Sequence, residues 1–129
     1  MIALDTNVVV RFLTDDDAAQ ARRARRLIEG NEVLVAATVL LEAEWVLRAG
    51  YGFAPERVHN SFLSLLGIPT VHTDAPDRVN LALEWYAGGL DFADALHLAL
   101  SQWAESFATF DDKLAKRASR IDGVKVVAL

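Results

Sequence analysis

The chain has 129 residues, the size of one ordinary domain, and 53% apolar with 24% charged residues suits a packed core beneath a solvated surface. No apolar run is long enough to span a bilayer, and Asp5 interrupts the N-terminal apolar stretch before a signal-peptide core forms, so a cytoplasmic protein is expected. The absence of cysteine excludes disulfides, thiolate nucleophiles and cysteine-held metal centres, and His59, His72 and His97 are too scattered for a metal cage. The net charge of −5 argues against nonspecific nucleic-acid binding, yet it is unevenly spread: residues 31–108 carry ten acids against three arginines, while residues 109–129 carry five basic residues against three acids.

Without repeats, low-complexity tracts or Gly/Pro/Ser-rich linkers, residues 1–129 read as a single domain in which strand-like and helix-like segments alternate. Residues 2–5 predict a first strand buried on both faces. Helices are expected at about residues 7–13 and 15–29, a second strand at 33–36, and a helix from about Val39 to Arg48 ended by Gly50 and Gly52. Pro55 opens a helix running to about Leu66, before Gly67 and Pro69. A short third strand follows at 70–72, then helices at about 76–86 and 92–104. The last strands, at 107–110 and 124–127, enclose a helix at about 112–118. This alternation implies an α/β fold with a parallel sheet covered on both faces.

In such a sheet, ligands gather beyond the carboxyl ends of the strands. Asp5 ends the first strand and Asp111 follows the fourth, each straight after an apolar run where a lone carboxylate is costly unless paired, hydrogen-bonded or neutralised. Capping of the next helix explains either one alone. Two further acids interrupt apolar helices. Glu42 lies in VLLEAEWVL, about 160° around the helix from Glu44, so at most one of them faces inward. Asp94 lies in FADALHLAL, with Asp91 three residues before it at the expected N-cap. Four acids on four elements suggest convergence on a hard cation: Mg²⁺ or Mn²⁺ takes oxygen ligands and bridges carboxylates to phosphate. On that reading the four carboxyl groups should gather within about 4–8 Å, and a Glu42 turned to solvent would leave the set.

The opening Asp5-Thr6-Asn7, Glu42 three residues before Trp45, DFADALHLAL and ATFDDKLAK together resemble a PIN-domain ribonuclease, specifically a VapC-type toxin of a type II toxin–antitoxin pair. The resemblance runs in register from residue 1 to about residue 127. It implies a three-layer α/β/α fold around a central parallel sheet of about five strands. It also implies a Mg²⁺- or Mn²⁺-dependent endoribonuclease using Asp5, Glu42, Asp94 and Asp111, and leaving a 5′-phosphate and a 3′-hydroxyl on structured RNA. Asp5 and Asp94 are the first choices as metal ligands. Glu42 would orient or deprotonate the attacking water, and Asp111 would complete the outer shell or hold a second ion. Asn7 and Thr109 would orient the carboxylates by hydrogen bonding. Thr6 reads instead as a helix cap, and Asp112 competes with Asp111 for the position facing the metal. His97 stays outside the set.

The arginines at 22, 23, 25 and 26 share one face of the second helix, where solvation and balance against the acids at 15–17 suffice to explain them. Arg11, Lys113, Lys116 and Arg117 are the expected phosphate contacts. The resemblance further implies a cognate antitoxin across a groove near the acids, and a homodimer is expected. Trp45, Trp85, Trp103 and Tyr51 read mainly as core, with that groove or a dimer seam as the alternative. Two rivals remain. A phosphatase using Asp5 as nucleophile would want an acid two residues later, where Asn7 stands, and a noncatalytic PIN-like interaction module would lose one of the acids, all of which are present.

Overall fold

The computed structural model describes residues 1–129 as two compact units, residues 1–76 and 77–129. In the first, β1 (Ile2–Ala3), β2 (Val33–Leu34) and β3 (Val71–His72) pair in parallel in the order β1-β2-β3. The ladder outlasts these short labels, because Leu4 N donates to Leu34 O and Val35 N to His72 O, at 2.9 and 2.8 Å. β2 is the middle strand, and Val33 and Val35 are fully buried. β1 is not buried on both faces as expected. It ends the three-strand order, Ile2 is 42% exposed, and only Leu4 enters the core.

The four helices expected in this part of the chain all form, and their ends show which residues set them. α1 (Thr6–Leu13) starts at Asp5, and α2 (Ala18–Gly30) starts later than expected because Asp17 takes the cap, its carboxylate accepting from Gln20 N at 3.0 Å. α2 buries Ala24 and Ile28 and turns Arg22, Arg23, Arg25 and Arg26 to solvent, as its periodicity requires. α3 (Ala37–Trp45) has no local side-chain cap; Asp74 accepts from Ala37 N at 2.9 Å across 37 residues of sequence. It continues into a π-helical turn, Val46–Gly50, and α4 (Pro55–Leu66) begins at its proline.

The second unit contains α5 (Pro76–Ala87, whose first residue closes the first unit), α6 (Phe92–Leu100), β4 (Phe107–Thr109), α7 (Asp112–Ala118) and β5 (Val126–Ala128). β4 and β5 pair in parallel, Phe107 with Val126 and Thr109 with Ala128. α6 stops four residues short of the expected Ala104: Ser101 N reaches Leu98 O at 3.2 Å, and Gln102 Nε2 takes the same carbonyl at 2.9 Å. Every strand pairing is therefore parallel, within one hydrogen-bonded group of three strands and one of two. No helix is long and apolar enough to cross a membrane.

Candidate active site

The first unit brings Asp5 and Glu42 to one cavity. The chain leaves the β1 ladder at Leu4 and turns at Asp5, whose Oδ1 accepts from Thr6 N at 2.9 Å, so the carboxylate is held at the N-terminus of α1. Thr6 is consequently not the cap that sequence suggested; it is the first helical residue and is buried. An open cavity of about 290 Å³ is lined by Asp5, Thr6, Asn7, Val10, Arg11, Glu42, Val46 and Tyr51. Glu42 is exposed, but onto this cavity rather than away from Asp5. The acid that faces inward is Glu44, 2% exposed, with Oε2 held by Arg48 Nε at 2.8 Å.

Arg11 borders the same cavity with its guanidinium already braced. Nε donates to Gln20 Oε1 at 2.7 Å, while Nη1 donates to Asp16 Oδ2 at 3.1 Å and to the Tyr51 hydroxyl at 2.8 Å. Tyr51 in turn donates to Asp16 Oδ2 at 2.8 Å. Tyr51 is thus a cavity-lining residue, not core, and the sequence carried no local signal for it because its partners lie 35 and 40 residues away. Trp45 and Trp103, 61% and 87% exposed, also depart from the core reading, and Trp85 is half-buried.

The second unit crowds three carboxylates. Asp91 caps α6, though weakly, with Oδ2 3.4 Å from Asp94 N. Asp94 is half-buried, and its carboxyl is pushed above its ordinary 3.8 first by that burial, then by the negative charges of Asp91 and Asp111. His97, exposed one turn further along α6, offsets part of this. Asp111 caps α7, with Oδ1 accepting from Lys113 N and Leu114 N at 3.0 and 3.1 Å. Thr109 Oγ1 accepts from Asp111 N at 2.9 Å and so fixes the turn that aims Asp111. Asp112, the first residue of α7, is exposed and is not among the charges acting on Asp94. Lys113 and Lys116 are exposed, whereas Arg117 Nη1 donates to Gly89 O at 2.8 Å.

Within either unit, no three His, Asp or Glu side chains are grouped tightly enough to hold a metal ion. The donor chemistry nevertheless suits a hard cation. In the first unit Asp5 commits Oδ1 to a backbone N–H and leaves Oδ2, and Glu42 beside it is in no ion pair; in the second, Asp111 likewise leaves Oδ2 and Asp94 is in no ion pair. The PIN domain family matches residues 2–120, and the chain belongs to that family, in general a nuclease fold that uses divalent metal ions. No curated protein matches the chain. Seven α-helices and five strands, paired in parallel within each group, agree with the α/β class read from sequence.

Proposed function

We propose that the protein is a metal-dependent endoribonuclease, the toxin of a VapC-type toxin–antitoxin pair, acting in the cytoplasm. The observation that carries this reading is the placement of Asp5 and Glu42 on one cavity in a PIN-family chain. Mg²⁺ or Mn²⁺, when bound, supplies charge neutralisation at the phosphate and acidifies water.

The chain's residues divide the remaining work. By the family resemblance, Asp5 and Asp94 would offer carboxylate oxygens to a bound cation, Asp5 from a position fixed by its bond to Thr6 N. Asp111, its turn held by Thr109, would add outer negative charge or hold a second ion, and Asn7, which borders the Asp5 cavity, would orient a carboxylate. Glu42 accepts a proton from the attacking water as its oxygen bonds to phosphorus. The bond from phosphorus to O3′ breaks and O3′ takes a proton from solvent, leaving a 5′-phosphate and a 3′-hydroxyl. Lys113 and Lys116, both exposed, take the RNA backbone in this reading, with Arg11 and Arg117 contributing whatever donors their internal bonds leave. A cognate antitoxin restrains the activity, and the working form is a homodimer.

Sequencing of RNA ends after expression of the wild type and of Asp5→Asn tests this. New 5′-phosphate ends confined to wild-type cells are expected; identical end profiles would overturn the assignment.

A further inference from the structure

Phe110 is 83% exposed although it follows directly on a strand. Alternation along β4 explains its direction: Phe107 and Thr109 are half-buried, whereas Ala108 and Phe110 face solvent. On β5, Val127 pairs in register with Ala108 and is also exposed. An aromatic ring left in water forgoes the burial that ordinarily justifies it. Its setting is chemical as well as apolar, because the next residue is Asp111 and the following helix presents Lys113 and Lys116 to solvent outside any ion pair. Lys113 and Lys116 lie about 60° apart around α7, on the side away from buried Leu114 and Ala118.

We infer that Phe110 is a stacking platform for an unpaired RNA base, beside the Asp111 carboxylate and next to lysines that take the neighbouring phosphates. The occupant follows from this pairing of features: a π-face needs an aromatic ring, and a polyanionic strand needs the adjacent cations. An apolar peptide would match the ring but not the lysines. The inference deepens the ribonuclease reading and rests on it for the substrate class. It adds a determinant that the carboxylates cannot supply, since they act on phosphate and water, which every nucleotide shares. Phe110 thereby favours cuts in loops and single strands, where a base is free to leave its neighbours.

The test measures anisotropy of a labelled single-stranded RNA 12-mer, and of a base-free ribose-phosphate strand of the same length, with Ca²⁺ replacing Mg²⁺. Phe110→Ala is expected to weaken binding of the base-bearing strand by about 5- to 100-fold. The same variant should leave the base-free strand unchanged, and Phe110→Trp should restore wild-type affinity. Lys113→Ala should weaken both strands. Equal loss on both strands, no loss on either, or failure of the Trp variant would overturn the stacking role. So would conversion of a dimer to a monomer by Phe110→Ala without loss of RNA affinity, which would assign the ring to a second copy of the chain. If no RNA is cleaved in Mg²⁺ yet these binding differences appear, the nuclease reading fails and the stacking site stands.

Discussion

Asp111 has two separable duties, and two substitutions divide them. Its Oδ1 satisfies two backbone N–H groups at the start of α7, at 3.0 and 3.1 Å, so Asp111→Ala exposes both and should cost about 1 kcal/mol. In a chain of 129 residues that lowers the melting temperature by about 3–5 °C. Asparagine is as good an N-cap, so Asp111→Asn should melt within about 1 °C of the wild type. The charge is lost in both. Activity should therefore fall about 10- to 100-fold in both variants, through weaker hold on the cation, and part of the loss should return at high Mg²⁺. Asp111→Asn also removes one of the charges that raise Asp94, so the Asp94 carboxyl should titrate closer to 3.8. Thermal melts, a Mg²⁺ titration of cleavage and a carboxyl NMR titration read the three effects. An asparagine variant as unstable as the alanine variant would refute the capping assignment. One that cleaves like the wild type at every Mg²⁺ concentration would remove Asp111 from the site.

Asp94 makes stability depend on pH in a direction opposite to most carboxylates. Because its native value lies above 3.8, the folded chain binds more protons than the unfolded one between those values, and stability is lost as pH rises through that window. Melting in EDTA should show this loss in the wild type and a flatter profile in Asp94→Asn; the same slope in both would contradict it. Divalent cation should stabilise the wild type more than Asp94→Asn at neutral pH. Arg48→Met takes the nearest cation from the buried Glu44 carboxylate and should cost about 2 kcal/mol, between the values for buried and exposed pairs, in a urea denaturation series. Tyr51→Phe removes the hydroxyl that bridges Arg11 and Asp16 and should cost about 1 kcal/mol, with weaker RNA binding if Arg11 serves the phosphates.

Local chemistry was the legible part of this fold. Pro55 marks the start of α4, Asp5 and Asp111 mark the starts of α1 and α7, and the apolar stripe of Ala24 and Ile28 marks the buried face of α2. What failed depended on partners distant in sequence. The start of α3 is capped by Asp74, and an apolar run such as residues 2–5 signals hydrophobicity without saying whether a strand lies at the middle or the end of its ladder. Helical periodicity separated Glu42 from Glu44 but assigned neither to the core. The structure buries Glu44 against Arg48 and leaves Glu42 on the cavity with Asp5. Asp91 was legible as a cap, yet its effect on Asp94 requires the burial of α6, which its spacing alone does not report.

The most direct measurement is cleavage of RNA by the purified chain in Mg²⁺, in EDTA, and in EDTA followed by excess Mn²⁺, with Asp5→Asn run beside the wild type. Asparagine keeps the acceptor for Thr6 N, so the variant should retain the wild-type melting temperature. The account predicts cleavage with Mg²⁺, none with chelator, recovery with Mn²⁺ and none from Asp5→Asn. Cleavage that persists in EDTA, or a folded Asp5→Asn variant cutting at the wild-type rate, would contradict it.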